Sequence, residues 1–532
     1  MAKRHQAFEI FAPALGIRAD FPTNELPPRA VSTGQDFRIY YGYHQKEYGT
    51  SMYATGVGSA LGAPINMIQD AKYPTASVLQ VLTHANVYRY TAAGDTFVSD
   101  GQISTGTYAD FWSSVIHNDA FIYTNGIDPM QIKTSVSVTG TNMASAISPT
   151  TYKAWALASL RDHLCLYHTV ENGAEHYKRV RWTKKGALVY SAGTTDFDSG
   201  TAGAIDLQDA EGAIQTAALL GAGAAVYAER SIHVQFWVGG DEIFRFSKTV
   251  PGIGTPSRRG VVSHGDANFL LGHTNVYAYY GGDDLRPIGN SIKRLMFSEI
   301  NDSAIANSYV EFDDRENEVL FHIPTGTSEL PDTTWVYRTQ DQSWARLKRN
   351  YTAGGRFSRK TGLTIGELQG SIGQQTWKFG DAQISLEASV RLYGDQSGRV
   401  VKHDITRYTI SESGADVNQN YVFETPDHTG TRAKDPEDGS VAEFVTTEQR
   451  WQRLQIEATG SGSAAVLYST NHGLNFTAFD ESPITLVNSG TTHTLDMEAV
   501  SPMIRFKVTS TGANDPLAIS YYKVEFLPGS DN

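Results

Sequence analysis

Apolar and polar residues alternate most regularly between Ser308 and Leu347, where the pattern predicts four short strands joined by polar turns. The strands are expected at residues 309–312, 318–323, 334–338 and 344–347. Four antiparallel strands in about 40 residues are typical of one β-propeller blade. A four-stranded meander inside another all-β fold has the same pattern. Recurrence of the pattern elsewhere in the chain would favour the propeller blade.

The pattern recurs along much of the chain. Asn86-Val87-Tyr88-Arg89-Tyr90 and Asn275-Val276-Tyr277-Ala278-Tyr279 share a motif that is followed each time by a Gly/Asp turn. Apolar stretches typical of inner blade strands lie at residues 120–123, 163–167, 224–227, 269–271, 319–321 and 389–393. Their spacing predicts a propeller of about six blades over residues 76–405, with insertions within 180–215 and 351–382.

The remaining regions differ in composition. Residues 1–75 carry scattered prolines, including the adjacent Pro27 and Pro28, and only residues 37–41 have a clear strand pattern, so we predict an extended N-terminal arm. Residues 406–448 are polar and charged, which favours a connector. Alternation returns over residues 449–532 and predicts a small C-terminal β-sandwich-like domain. Its strands are expected at residues 453–458, 464–469, 493–497, 503–508 and 517–526.

The composition agrees with an all-β fold and argues against several classes of function. The 532 residues include 49 Gly and 27 Tyr, and a net charge of −13 argues against tight binding of nucleic acid. Cys165 is the only cysteine, which excludes an internal disulfide and a thiolate metal cluster. We find neither a signal-peptide pattern nor an apolar run of membrane-spanning length, so we expect synthesis in a cytoplasm and no membrane insertion.

Motifs that suggest enzyme chemistry have structural interpretations. Residues 469–476 resemble the Asp-box hairpin of sialidases, with Asn471 in place of Asp, and predict a stabilised turn. The acidic pairs Asp283-Asp284 and Asp313-Asp314 are expected at solvated hairpin tips rather than as partners in glycoside cleavage.

Other kinds of reactive site also lack a sequence signature. His163, His168 and His176 do not have the spacing of metal ligands. We find no phosphate-binding loop and no nucleophile motif. We therefore predict no catalytic, cofactor-binding or metal-binding residue.

One basic stretch, residues 176–185, interleaves charges with aromatic and apolar side chains. Such a strand contacts either phosphates or an acidic neighbouring subunit, and in an acidic protein we favour the subunit contact. The candidate contact residues are Lys178, Arg179, Arg181, Lys184 and Lys185.

Residues 15–39, followed by Gly42 and Gly49, resemble the opening of the tail nozzle proteins (tail tubular protein B-like) of short-tailed bacteriophages. That opening reads Gly-Leu-Asn, then Leu-Pro-Pro-Gly, then Asn-Val-Arg and a Gly. Here Arg29 replaces the Gly after the paired prolines, and Asp36-Phe37-Arg38 stands for Asn-Val-Arg. Segments within residues 275–289 and 312–344, and the C-terminal strands, are similar to later parts of the same family.

The resemblance implies a structural protein of the virion tail. Six copies would form a ring below the tail adaptor protein, with propellers around a channel for the double-stranded DNA genome and with fibres or a tip protein nearby. If acidic residues line the channel, repulsion would keep the DNA from sticking as it passes. No cofactor is implied.

Two other classes of function stay open. A propeller glycosidase or sialidase-like enzyme would present converging acidic or Arg residues at the propeller mouth, and the sequence does not assemble such a set. A carbohydrate-binding adhesin would expose aromatic platforms, for which Trp112, Trp237 and Trp377 are the candidates, although Trp is more often a core residue.

Overall fold

The computed structural model describes residues 6–11, 14–40, 42–56, 59–74, 76–92, 94–103, 105–136, 139–143, 151–186, 188, 196–359, 388–429, 448–510, 512 and 515–527. These residues form 43 β-strands, one short α-helix, α1 (Lys293–Glu299), and one 3-10 helix (Asp302–Asn307). The prediction of an all-β protein is confirmed. Among the described residues, no helix has both the length and the apolar composition needed to span a membrane.

The N-terminal arm is more ordered than its prolines suggested. It contains five short strands: β1 (Gln6–Phe11), β2 (Thr33–Gln35), β3 (Phe37–Tyr40), β4 (Tyr43–Lys46) and β5 (Gly49–Met52). The strand predicted at residues 37–41 is confirmed as β3, whereas the other four were missed. Each of them pairs with a strand that lies far away in the sequence.

Seven four-stranded antiparallel sheets follow the arm. Sheet 1 contains β6 (Ile65–Lys72), β7 (Ser77–Thr83), β8 (Asn86–Thr91) and β9 (Thr96–Ile103). Sheet 2 contains β10 (Ser113–His117), β11 (Ala120–Thr124), β12 (Gln131–Lys133) and β13 (Thr141–Asn142). Sheet 3 contains β14 (Tyr152–Leu160), β15 (His163–Glu171), β16 (Ala174–Trp182) and β17 (Gly203–Asp206). Sheet 4 contains β18 (Ile214–Leu220), β19 (Gly223–Ala228), β20 (Ser231–Trp237) and β21 (Phe244–Pro251).

The other three sheets continue this arrangement. Sheet 5 contains β22 (Val261–His264), β23 (Ala267–Leu271), β24 (Val276–Tyr279) and β25 (Leu285–Pro287). Sheet 6 contains β26 (Tyr309–Asp313), β27 (Glu318–Ile323), β28 (Thr333–Arg338) and β29 (Ser343–Lys348). Sheet 7 contains β30 (Tyr351–Arg359), β31 (Ala388–Asp395) and β32 (Val400–Asp404), and β5 from the arm is its fourth strand.

The seven sheets form a closed circle, which we call the ring of sheets. The first strand of each sheet contacts the next sheet, and β30 of sheet 7 contacts β6 of sheet 1. Apolar side chains fill the spaces between neighbouring sheets, as where Tyr227 of sheet 4 packs with Leu270 and Tyr279 of sheet 5. The circle is completed by the pairing of β5 with β32, in which Thr50 lies opposite His403. Four-stranded sheets in this order are consistent with propeller blades.

The prediction was about six blades, and the described residues form seven such four-stranded sheets, one more than six. The six apolar stretches on which the count rested are the second strands of sheets 2 to 7. The equivalent strand of sheet 1 is β7, whose apolar run is interrupted by the buried Gln80. The predicted boundary at residue 75 therefore falls inside sheet 1, after β6.

The rest of the chain forms a hairpin and two larger sheets. The strands are β33 (Thr409–Glu412), β34 (Ala415–Asn418), β35 (Tyr421–Glu424), β36 (His428–Thr429), β37 (Gln449–Gly460), β38 (Ser463–Ser469), β39 (Thr477–Ala478), β40 (Ile484–Thr485), β41 (Thr491–Ser501), β42 (Met503–Ser510) and β43 (Leu517–Leu527). The five strands predicted after residue 449 are confirmed as β37, β38, β41, β42 and β43. The predicted connector contains β33 to β36, and its residues 430–447 lie outside the described residues.

Strands from both ends of the chain build the two larger sheets, which together we call the two-sheet unit. One sheet has the order β3-β4-β43-β37-β41, with β1 also paired to β43. The other has the order β2-β35-β42-β38-β39, with β36 also paired to β42 and β40 also paired to β38. The sheets pack face to face: the ring centroids of Phe506 and Tyr522 are 6.3 Å apart, and His44 Nδ1 lies 2.9 Å from the Tyr421 hydroxyl.

The arm also joins this unit to the ring of sheets. The backbone N–H of Ile17 donates to the carbonyl oxygen of Trp344 (2.8 Å), and that of Asp36 donates to Arg346 (2.8 Å). Both acceptors lie on β29, the outermost strand of sheet 6. The arm therefore covers an edge that would otherwise expose unpaired backbone groups.

Candidate functional sites

The centre of the ring of sheets is crossed by the segment that connects sheets 4 and 5, and Arg259 lies within it. Its guanidinium donates to the carbonyl oxygens of Asn66 in sheet 1 (2.5 Å) and Thr352 in sheet 7 (3.0 Å). It also lies over the rings of Phe111 (4.0 Å) and Tyr309 (4.8 Å). One side chain thus bridges several sheets.

The neighbouring Arg258 points to the opposite side of the centre. Its guanidinium stacks on Trp155 of sheet 3 at 3.5 Å and donates to the carbonyl oxygen of Asn125 (3.3 Å). Trp155 in turn stacks on His168, with ring centroids 3.6 Å apart. Burial lowers the pKa of Arg258 to about 10, so it stays charged at neutral pH.

The two arginines are the central residues that sequence reasoning missed. A sialidase-like site uses arginines at the propeller mouth as open donors to a substrate. Here one guanidinium nitrogen of Arg258 and both terminal nitrogens of Arg259 donate to backbone carbonyls of the protein itself. The two arginines therefore hold neighbouring sheets together at one end of the centre of the ring of sheets.

Replacing Arg259 by Met is expected to lower the free energy of unfolding by about 2 kcal/mol, because buried carbonyls lose charge-assisted hydrogen bonds. Urea denaturation followed by tryptophan fluorescence measures the change. Arg286→Met is the matched control, since Arg286 is an exposed side chain that pairs with Asp284 and lies over the ring of Tyr280. Equal stability of the two variants would contradict the bridging role.

A second candidate lies where sheets 6 and 7 meet the arm. Arg38 on β3 lies 2.8 Å from Glu316, 3.4 Å from Glu318 and 3.8 Å from Glu47. Beside it, Arg391 on β31 pairs with Glu311 (3.0 Å) and with Asp313. Arg38, Glu316, Glu318, Asp313 and Arg391 line a cavity of about 30 Å³, which has room for water.

The ionisation of these carboxyl groups is set by burial and by the two arginines. Burial opposes the ionisation of Asp313, but Arg391 and Arg356 outweigh it and lower its pKa. Glu318 is different, because burial outweighs the attraction of Arg38 and raises its pKa to about 7. A raised pKa in a cleft is a sign of function in enzymes, but buried ion-pair networks shift pKa values as well, so the raised pKa of Glu318 does not by itself mark an active site.

The raised pKa of Glu318 predicts a pH dependence of stability. The folded state holds this proton up to about pH 7, whereas an unfolded Glu releases it near pH 4.3, so its contribution is present at low pH and is lost as the pH rises. Glu318→Gln is therefore expected to gain on the order of 3 kcal/mol relative to the natural protein between pH 4.5 and 7.5. Urea midpoints across this pH range measure it. The exposed Glu498→Gln serves as control, and a constant difference for Glu318→Gln would contradict the assignment.

The predicted basic stretch does not form a free basic surface. Arg179 pairs with Asp206 (2.7 Å), Arg181 pairs with Glu171 (2.9 Å), and Lys184 pairs with Asp196 (2.7 Å), all within sheet 3 or its loop. Lys178 lies over the ring of Tyr177, and Lys185 lies 3.9 Å from Asp162 with both side chains exposed. Contact with a subunit or with phosphate stays a prediction, for which Lys178 and Lys185 are the better placed residues.

The Asp-box-like turn is confirmed. Ser469 Oγ accepts hydrogen bonds from the backbone N–H groups of Asn471 (3.3 Å) and Gly473 (3.0 Å), and Asn471 Oδ1 accepts from the N–H of Asn475 (3.0 Å). Gly473 has a φ of +80°, as the turn requires.

The expectation that both acidic pairs lie at solvated hairpin tips is wrong for one residue. Asp283 and Asp284 lie in the exposed turn between β24 and β25, but Asp313 is buried against Arg391 and Arg356. The alternation that places Asp313 at a hairpin end does not reveal that another sheet covers that end.

The remaining candidates are separated. His163 and His168 are buried and have different partners, the carbonyl oxygens of Thr183 and Ile214. In the part of the chain that the structure describes, no group of three or more His, Cys, Asp or Glu side chains is arranged to hold a metal ion. Burial raises the pKa of Cys165 to about 12, which leaves it unreactive at neutral pH. Trp112 is buried, Trp237 is half exposed, and Trp377 lies outside the described residues.

No protein-family model matches the chain, and no curated protein matches it either. Among solved structures, an extracellular domain of a hybrid two-component system from B. thetaiotaomicron shares 10% identity over 71% of this chain, with a TM-score of 0.37. This chain spans only 44% of that one. The Pan2 WD40 domain of Neurospora crassa shares 8% identity over 67% of this chain and 94% of that domain, with a TM-score of 0.36.

A family 29 carbohydrate-binding module complexed with cellohexaose shares 14% identity over 23% of this chain and 75% of the module, with a TM-score of 0.15. Likenesses this remote say nothing about what the present protein binds or does. The class that the structure defines is an all-β protein whose four-stranded antiparallel sheets are consistent with propeller blades.

Proposed function

We propose that this protein is a structural component of a phage tail, a nozzle protein whose copies form a ring below the tail adaptor. In this proposal the ring of sheets is a seven-bladed propeller, and the two-sheet unit is a β-sandwich that the N-terminal arm completes. The copies together enclose the distal channel through which double-stranded DNA leaves the particle. The protein has no catalytic residue, and fibres or a tip protein attach nearby.

The observation that carries the proposal is the way both ends of the chain are fixed in one body. β5 completes sheet 7, β1, β3 and β4 belong to the sheet that contains β43, the last strand, and β2 belongs to the sheet that faces it. The segment with the sequence resemblance, residues 15–39, lies at the junction: Asp36 pairs with Arg349 (2.7 Å). A subunit closed in this way keeps its shape, which suits a protein that packs between identical copies in a ring.

Charge supports the same role. A protein of net charge −13 binds DNA weakly, because tight binding requires Lys and Arg to neutralise phosphates. We propose that part of this charge lines the channel between copies. The centre of each ring of sheets is not that channel, because Arg258 and Arg259 occupy it at one end.

A propeller-type glycosidase is the alternative from another class. It is less well supported, because guanidinium nitrogens of both central arginines donate to carbonyl oxygens of the protein itself. Native mass spectrometry of the purified protein, alone and with its adaptor, separates the two proposals. A ring-forming oligomer supports the nozzle, whereas a stable monomer that cleaves oligosaccharides would replace it with the enzyme.

A further inference from the structure

Three consecutive apolar residues are exposed where β20 ends: Phe236 (47%), Trp237 (48%) and Val238 (41%). Soluble domains seldom expose such a run unless it is used for binding. Two further half-exposed apolar side chains lie at the same end of sheets 4 and 5, Leu219 at the end of β18 and Tyr280 after β24.

These residues belong to one continuous surface. The Leu219 carbonyl accepts a hydrogen bond from Ser263 Oγ of sheet 5 (2.7 Å), which ties the ends of β18 and β22 together. A Cβ at Gly281, next to Tyr280, would lie 3.5 Å from Leu220. The ends of sheets 4 and 5 are therefore in contact, and we call this surface the sheet 4–5 rim.

Neighbouring residues fix the position of the Trp237 side chain. The guanidinium of Arg161 in sheet 3 lies over its ring at 5.7 Å. On the hairpin side, a Cβ at Gly239 would lie 3.2 Å from the indole, so only Gly allows the close approach at this positive φ. A rigid, half-exposed Trp beside an Arg has the character of a binding hot spot, because little entropy is lost when a partner covers it.

Acidic residues surround the apolar part of the rim. Asp241, Asp266 and Asp283 lie exposed in the turns of the two sheets, and none of the three forms an ion pair with another described residue. The neighbouring Glu242 and Asp284 are already paired with Arg245 and Arg286. The rim thus combines apolar anchors with negative charges that lack a counter-charge.

We propose that the sheet 4–5 rim docks a basic, apolar segment of another protein. Its apolar side chains cover Phe236 and Trp237, and its Lys or Arg residues pair with Asp241, Asp266 and Asp283. Charge complementarity of this kind selects the partner and speeds encounter, while the buried aromatic contact supplies the affinity. The negative charge disfavours a nucleic acid. A neutral sugar would leave the three carboxylates without a role.

The test uses the full chain and a short fluorescent peptide of alternating Leu and Lys as the probe. A Ser/Lys peptide of equal charge and a Leu/Glu peptide are the comparison probes. Two rim variants are made, Trp237→Thr and the triple change Asp241→Asn, Asp266→Asn, Asp283→Asn. Leu474→Ser and Asp480→Asn are matched controls, since both residues are exposed in the two-sheet unit. Thermal melting confirms that every variant is folded.

Fluorescence anisotropy is expected to show that the Leu/Lys peptide binds best and that each rim variant weakens it about tenfold or more, with the controls unchanged. Because the triple variant changes only exposed turn residues, it tests the site even if Trp237→Thr unfolds. Equal binding of the Ser/Lys peptide, or binding that both rim variants leave unchanged, would overturn the proposal. Binding of cellohexaose that requires Trp237 but not the carboxylates would replace it with a sugar site.

Discussion

Replacing Arg391 by Met is expected to lower the free energy of unfolding at pH 7 by about 3–5 kcal/mol, because the buried Glu311 loses its arginine partner and the buried Asp313 keeps only Arg356. Arg391 contacts both Glu311 and Asp313, and the exposed fractions of the three side chains are 10%, 16% and 5%. His322, 3.2 Å from Glu311, does not replace it, since burial lowers the pKa of His322 and keeps it neutral at pH 7.

Urea denaturation of the variant at several pH values measures the effect and its cause. In the natural protein the pKa values of Glu311 and Asp313 are lowered, so their contribution is present above pH 4 and is lost on acidification. Without Arg391, Glu311 should take up a proton on folding, whereas Asp313 keeps Arg356, and the deficit should shrink as the pH falls from 7 to 5. Arg453→Met, at an exposed pair with Asp496, should change stability by about 0.5 kcal/mol or less. A loss below about 1 kcal/mol for Arg391→Met would contradict the role of the cluster.

Removing residues 1–52 is expected to abolish the folded state altogether. Sheet 7 would lose β5, and the two-sheet unit would lose β1 to β4. The deleted segment also carries five side chains of the main core, namely Ile10, Ile17, Val31, Phe37 and Ile39. At about 1.5–3 kcal/mol for each buried side chain, this loss is comparable with the whole stability of a typical domain.

Soluble expression, size-exclusion chromatography and circular dichroism of the truncated chain measure this effect. Supplying residues 1–60 as a separate polypeptide during refolding is the control, because it restores the missing strands without restoring the peptide link. A truncated chain that remains soluble, monomeric and cooperatively folded would show that the arm is not part of the fold.

The ring of sheets was largely predictable, because each four-stranded sheet is built mainly from hairpins whose two strands are close in the sequence. The alternation in β26 to β29 shows this directly. The sequence pattern did not identify β7, because Gln80 interrupts its apolar run. The predicted number of blades, about six, was therefore one lower than the number of four-stranded sheets. The short arm strands were missed for a different reason, since their partners are distant: Gly34 lies opposite Phe423, and Phe8 lies opposite Val524.

The candidate sites were less predictable than the fold. Arg258 and Arg259 have no sequence motif, and their central position exists only once the circle is closed. Asp313 was assigned to a solvated turn because nothing local indicates that Arg391, 78 residues away, lies against it. The turn at Ser469 was predicted correctly, since the hydrogen bonds of the Ser469 and Asn471 side chains to its backbone are local.

Electron microscopy of the phage particle in which we propose that this protein functions tests the central claim most directly. We expect six copies in a ring at the distal end of the tail. Each copy should contain a disc of seven sheets with a blocked centre, and the DNA channel should run between copies with an acidic lining. A particle that lacks this protein, or a channel that passes through the centre of the sheets themselves, would contradict the account.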